Sequence, residues 1–237
     1  MSNVGNPIKN LVIKFSEHLS NLITQKDFDL KHQLRIKATN EAVEFYDKNM
    51  PNTQVFGDKE SMLDFELDNV KVKGLYLEFG VAKAVKTNYI AKKIKQTIHG
   101  FDSFQGLPES WNGISRSLHD YNGKMPKVRE NVILHKGWFS ETIPEFARSN
   151  NEKIAYINID CDLYSSTKTV FDCLGDKIQV GTIIHIDEFF NYPDWKVHEY
   201  KALMEFVREY NVKFEYMACG EQRVVVKVTG INNSGEE

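Results

Sequence analysis

Along the first segment the apolar residues Ile8, Leu11, Val12, Phe15, Leu19, Leu22 and Ile23 recur at spacings of three and four. That period places them on one face of a helix, a face that must pack on something. A second helical pattern, heavily charged, covers 28–48, and a third covers 61–70. From Gly74 the pattern changes to short apolar runs at 75–79, 97–101, 132–135, 154–159 and 182–186, separated by helical stretches at 87–95, 140–148, 166–174 and 195–210. Strand-sized runs alternating with helices predict βαβ units and a parallel sheet. Two last runs, 213–218 and 223–228, are separated by Cys219-Gly220-Glu221-Gln222, a connection short enough for an antiparallel hairpin. The expected architecture is a doubly wound, Rossmann-like α/β sheet of seven strands. A helical extension over 1–72 precedes a core over 73–229, and the polar tail 230–237 is expected to fray.

Composition narrows the function. A chain of 237 residues buries one substantial core, so one active site is sought. The net charge is -3 and the lysines are scattered among acids, which leaves no basic stripe for a phosphate backbone; a nucleic-acid partner is not expected. Cys161, Cys173 and Cys219 are odd in number and lack metal-ligand spacing, which suits small buried thiols in a reducing compartment. Lys14, Glu17 and His18 interrupt the apolar run that starts at Leu11, so no secretory signal is read there. No stretch reaches the roughly 18 consecutive apolar residues of a membrane span. A cytoplasmic protein is expected. Its N-terminal helices are a structural cap, a homo-oligomer surface or an active-site lid.

Ligands of open α/β sheets bind at the carboxyl ends of the strands, near the point where strand order reverses, so the residues that close each strand carry the information. The first strand closes on Glu78-Phe79-Gly80. The second closes on Asp102, 22 positions after Gly80, and an acid about 20 residues on commonly holds ribose hydroxyls. Ribose recognition alone does not separate NAD from S-adenosylmethionine. The chain has no G-x-G-x-x-G and no P-loop, which counts against a dehydrogenase and a nucleotidase.

The fourth run closes on Asp160-Cys161-Asp162, and residues two apart on an extended chain point to one side. The fifth closes on Asp187-Glu188. If the two strands are neighbours, four carboxylates crowd one edge of the crevice, which is costly unless something neutralises them. A hard divalent cation with oxygen ligands, Mg²⁺ above all, is the direct remedy. Any one of these acids alone reads more readily as a helix cap or surface acid. His185, flanked by strand residues, reads as a packed histidine, and His198 lies on the predicted helix beyond the fifth strand. The stretch 108–126, with Trp111, Arg116, His119 and Tyr121 and no periodicity, is expected to be a lid over the acceptor.

With these residues assembled, the chain resembles the macrocin and mycinamicin sugar O-methyltransferase family, class I methyltransferases dependent on S-adenosylmethionine. The resemblance covers 72–226. It rests on Leu77-Glu78-Phe79-Gly80-Val81, on Phe101-Asp102-Ser103-Phe104-Gln105-Gly106-Leu107-Pro108, and on Glu130-Asn131-Val132 leading to Gly137-Trp138-Phe139-Ser140-Glu141-Thr142-Ile143-Pro144. It continues with Ile159-Asp160-Cys161-Asp162-Leu163-Tyr164 and Asp187-Glu188-Phe189. It implies that Glu78 and Gly80 line the methionine part of the cofactor, that Asp102 and Ser103 hold the ribose, and that Gly137 and Trp138 border the adenine. Asp160 then belongs to both cofactor and metal sites, with Asp187 and Glu188 as the other metal ligands and Asp162 as general base. The implied acceptor is a small molecule that contains a sugar. One departure stands out: where relatives continue with Gly-Gly-Ser, this chain has Ala84-Val85-Lys86, whose side chains narrow the approach to the cofactor.

A sugar hydroxyl is far less acidic than an Asp of ordinary pKa, about 3.9, so a carboxylate alone is a poor base for it. A coordinated cation and a base are complementary in that chemistry. Two other readings stay open: a catechol-like small-molecule O-methyltransferase, and a non-catalytic subunit that binds cofactor, supported by the altered glycine loop.

Overall fold

The computed structural model describes residues 11–16 and 28–232. Residues 11–16 are helical, with Leu11, Val12 and Phe15 exposed; Ile8, Leu19, Leu22 and Ile23 of the predicted first helix lie outside the described residues. Helix α1 (Leu30–Asn49) starts at Asp29, whose carboxylate accepts the N–H groups of Lys31 and His32. Helix α2 (Lys59–Asp68) starts at Asp58, which accepts the N–H of Ser61. Short polar side chains before a helix satisfy donors that no preceding turn can.

The core alternates as expected: β2 (Leu75–Phe79), α3 (Val85–Lys93), β3 (Ile98–Asp102), β4 (Val132–Lys136), α4 (Phe139–Ser149), β5 (Ile154–Ile159), α5 (Tyr164–Leu174), β6 (Ile178–Ile186), α6 (Glu199–Glu209), β7 (Val212–Gly220) and β8 (Arg223–Ile231). Among the described residues the sheet has eight strands rather than seven. The addition is β1 (Gln54–Val55), which pairs parallel with β7; two residues are too few for a period of two to show. Strand order is β1-β7-β8-β6-β5-β2-β3-β4, with β8 antiparallel to both β6 and β7. The hairpin turns on Glu221 and Gln222 alone. Strand β8 runs two residues past the expected core end at 229. The predicted helix 195–210 is a 3₁₀ turn (Trp195–Val197) followed by α6, broken by the non-helical backbone of His198.

Alternation divides each central strand between two packed layers. On one face Leu77, Phe79, Ile157, Ile159, Ile184 and Ile186 meet Ile143 and Phe146 of α4, Val170 and Phe171 of α5 and Phe206 of α6. On the other, Tyr76, Ile98, Tyr156 and Ile183 meet Met62 and Leu63 of α2 and Ile90 of α3. Helices on both faces of a mostly parallel sheet leave the strand ends as the place for a site. No helix among the described residues is long and apolar enough to cross a membrane.

Candidate active site

The chain order reverses between β2 and β5, so the segments leaving these strands flank the crevice of the sheet. They touch. Asp160 donates its N–H to the Phe79 carbonyl at 2.9 Å, and Gly80 donates to Phe101 at 3.0 Å. A Cβ on Gly80 would sit 1.7 Å from the Asp160 carbonyl oxygen, and its φ is +95°, so only glycine fits. The turn after it winds through left-handed backbone at Ala82 (φ 49°) and Ala84 (φ 59°), conformations that disfavour a side chain.

Asp102 holds that turn. One carboxylate oxygen accepts the N–H groups of Val81 (2.9 Å) and Ala82 (2.8 Å), the other that of Phe104 (2.6 Å). A carboxylate has about four acceptor positions, so roughly one remains for a ligand hydroxyl. Ser103 is buried and shapes the next turn, accepting from Gln105 N–H and donating to the Gly106 carbonyl. Gly137 (φ +147°) donates to the Asp102 carbonyl, and Trp138 begins α4 beside it. Glu78 lies behind this wall rather than on it. It is fully buried, one oxygen accepting from Asn158 at 3.1 Å and the other meeting no donor. Burial pushes its carboxyl up to about 7, against the pull of the Lys86 charge and the Asn158 hydrogen bond.

At the ends of β5 and β6 the four acids do converge. Asp160, Asp187 and Glu188 present oxygens within 4.8 Å of one another. Asp162, in left-handed backbone (φ 64°), is nine-tenths buried next to them. Several cations and donors neutralise the edge. Lys86, from the first turn of α3, places its ammonium 2.8 Å from Asp160 Oδ2 and 2.6 Å from Asp187 Oδ1. Arg223 of β8 donates to the same Asp187 oxygen at 3.0 Å, and His185 lies 3.4 Å from it. The other His185 nitrogen is 2.8 Å from Glu66 of α2, whose second oxygen accepts the Tyr156 hydroxyl. Glu199, at the start of α6, is fully buried and accepts three backbone N–H groups, from Cys161, Asp162 and Glu188.

The charges sort accordingly. Burial works to raise Asp187, but Lys86, His185 and Arg223 outweigh it and hold the group well below the usual carboxylate range. Burial and the neighbouring Asp160 and Asp187 charges push Asp162 up to about 7, with Glu188 and Lys86 pulling back. Glu188 rises well above its ordinary value through burial and the surrounding acids, and its Oε2 meets no donor. Burial raises Glu199 to about 8, against the backbone N–H groups it accepts. Burial would lower His185, but Glu66 and Asp187 carry it up to about 9.

One cleft of about 560 Å³ joins the two halves, bounded by Gly80, Asp102 and Trp138 on one side and by Lys86, Asp160 and Asp162 on the other. The irregular stretch beyond β3 folds over it. Leu107, Pro108, His119 and Tyr121 line the cleft, while Glu109 accepts from Ser165 at 2.6 Å and Asn112 bonds His198 at 3.1 Å. His198 thus faces this loop, and His185 is the packed histidine expected. Sequence spacing does not single out Lys86 as a site residue, nor Glu66, Glu199 and Arg223, because each acts on partners outside its own segment of the chain.

Fold and strand-end cleft together define a chain of the class I methyltransferase type. More closely, it belongs to the macrocin-O-methyltransferase (TylF) family, whose model matches residues 71–215. Demethyldecarbamoylnovobiocin O-methyltransferase of Streptomyces niveus is 29% identical over 135 residues, 48% of this chain and 50% of that protein. An 8-demethyl-8-(2,3-dimethoxy-alpha-L-rhamnosyl)-tetracenomycin-C 4'-O-methyltransferase of Streptomyces olivaceus is 30% identical over 107 residues, 37% of this chain and 40% of that protein. These matches span about half or less of the curated relatives. Among solved structures, the calicheamicin methyltransferase CalS11 superposes with a TM-score of 0.57 at 20% identity, covering 71% of this chain and 77% of that one. The O-methyltransferase NovP does so with 0.55 at 22% identity, covering 72% and 79%. At these identities the likeness is one of fold.

Proposed function

We propose that this chain is an S-adenosylmethionine-dependent O-methyltransferase whose acceptor is a hydroxyl of a sugar or of a glycosylated small molecule. The observation that carries the reading is the cleft that joins the Gly80–Asp102 turn to the Asp160–Asp162 edge. Its volume is in the range of nucleoside-sized ligands. Asp102 keeps an acceptor position for a ribose hydroxyl, Ser103, Gly137 and Trp138 border the same pocket, and Gly80 lets the backbone come close. The altered turn Ala84-Val85-Lys86 leaves this pocket open, with Val85 and Lys86 on its lining. The tetracenomycin relative is named for a rhamnosyl-bearing substrate, which points to the acceptor class.

S-adenosylmethionine would supply an electrophilic methyl group on a sulfonium. Asp162 lines the cleft, and a carboxyl raised to about 7 is a far better base than an ordinary Asp. It would take the acceptor's proton as the new C–O bond forms and the S–C bond breaks. The loop over the cleft would exclude water and align the acceptor, since in-line transfer needs about 3–3.5 Å between reacting atoms. Divalent-metal assistance meets a mixed answer from the residues. The spacing of Asp160, Asp187 and Glu188 suits Mg²⁺, but the Lys86 ammonium already holds the facing oxygens of two of them. As folded, the site does not fit both cations.

Calorimetry with S-adenosylmethionine, followed by transfer of a radiolabelled methyl group to a panel of glycosides, free sugars and diphenols, tests the reading. Methylated glycosides are the expected product. Methylation of diphenols alone would replace the acceptor by a catechol-like one, and cofactor binding with no transfer to any acceptor would point to a non-catalytic subunit.

A further inference from the structure

The departure from the family's glycine turn puts a lysine where the acids converge. Lys86 is the second residue of α3, at the helix end whose dipole disfavours a cation. That helix end has no side-chain cap. The helix therefore does not account for the position of the ammonium; Asp160 and Asp187 do, at 2.8 and 2.6 Å. Both are strong, charge-assisted contacts in a largely buried setting. An ammonium has three donors, and among the described residues Asp160 and Asp187 are the two partners of this one. Lys86 also lines the cleft, beside Asp162. Glu188, the third member of the cluster, has an oxygen that meets no donor, as expected if the positive charge is shared by two carboxylates rather than three.

We propose that Lys86 is a built-in substitute for a divalent cation: its ammonium neutralises Asp160 and Asp187 and gives its remaining N–H to the acceptor oxygen, so that methyl transfer proceeds without metal. The proposal rests on the O-methyltransferase reading for its catalytic half only. The chemistry balances without any further reactant. The acceptor oxygen bonds to the methyl carbon as the S–C bond breaks and S-adenosylhomocysteine leaves, the hydroxyl proton passes to Asp162, and Lys86 stays protonated throughout, stabilising the charge that develops on oxygen. Lysine can do this but glycine or serine at the same place cannot, which gives the altered turn a purpose that weakened cofactor binding does not.

The test begins without substrate. Full-length wild type, Lys86→Ala, Lys86→Met and Lys86→Arg, each checked for native circular dichroism, are titrated with MnCl₂ by calorimetry and by electron paramagnetic resonance of free Mn²⁺. Wild type and Lys86→Arg are expected to show no stoichiometric binding up to millimolar Mn²⁺. The uncharged variants should bind one ion at least tenfold more tightly; two of them are included so that one misfolded variant does not leave the question open. One Mn²⁺ bound by wild type at micromolar concentration, or no gain in either folded uncharged variant, would overturn the proposal. Turnover is then measured in a chelator. Wild type should keep full rate, and the uncharged variants should lose about 10²-fold and recover part of it with Mg²⁺. Loss of wild-type activity on chelation would also overturn it. If no acceptor is methylated, the enzymatic reading fails while the Mn²⁺ titrations still decide what Lys86 does.

Discussion

The two halves of the cleft are built on different principles. Around Gly80 and Asp102 one carboxylate collects backbone N–H groups from residues 2 to 21 positions away, and the wall stands by main-chain geometry. At the acid edge, side chains from α2, α3, α6 and β8 meet across 11 to 119 positions, and the arrangement stands largely by compensation of charge. A backbone-held wall tolerates change in every side chain except the one carboxylate that gathers its N–H groups. A charge-held one loses stability when a partner is removed and no other group takes its place, because a buried carboxylate or N–H left alone costs more than the contact contributed.

The sharpest way to break that contrast is Glu199→Ala. It strands three buried N–H donors at about 1–3 kcal/mol each, so a loss of roughly 3–9 kcal/mol is expected in urea denaturation. Glu199→Gln, which keeps one acceptor oxygen, should cost clearly less; equal stability of wild type and Glu199→Ala would mean the edge does not depend on it. Next in size, Asp162→Asn should lower turnover by about 10²–10⁴-fold and leave S-adenosylmethionine affinity unchanged. An unaltered rate would send the proton elsewhere. The mirror image is Asp102→Asn on the other wall. It should weaken cofactor binding by about 10–100-fold, the worth of hydrogen bonds to a charged group, with Mn²⁺ behaviour unaffected; calorimetry reads both.

A pH effect belongs to the backbone-held half. His99 and His135, on adjacent strands β3 and β4, face each other at 3.0 Å. Burial lowers His99, and burial together with His99 lowers His135 to about 4 from 6.5. Between those values the unfolded chain binds more protons than the folded one. The contribution is therefore complete above about pH 6.5 and lost as pH falls toward 4, by roughly 1–3 kcal/mol after solvent screening. His135→Phe should flatten the stability profile over that range. The smallest effect is expected at Ala82, where glycine would relieve left-handed backbone but loosen the unfolded chain; Ala82→Gly should lie within about 1 kcal/mol of wild type, on the stabilising side.

Legibility followed the same divide. The central strands β2 and β5 were readable to the residue, because four or five apolar positions within a run of five or six residues between turn signals have few other uses. Gly80 and Asp102 were readable because their spacing reflects one strand-turn-helix-strand unit. The start of β6 was not, since Gln179 and Gly181 interrupt its apolar run, and β1 was too short to carry a pattern. The four acids could be placed on one edge by strand-end logic, but what neutralises them could not. Lys86 could be seen as a departure, yet nothing in its neighbourhood says that the first turn of α3 would deliver its ammonium to residues 74 and 101 positions away.

Glu66 lies before the stretch that the family model matches, and before the break at residue 72 that separates helical extension from core in the sequence pattern. Its carboxylate nevertheless supports Tyr156 and His185 from below, and through His185 it reaches Asp187. The extension is therefore not modular. A chain begun at residue 73 would retain every cofactor-side motif and lose the keystone under its acid edge, leaving a buried tyrosine and a buried histidine without their partner, so the smallest unit able to keep this site intact includes α2.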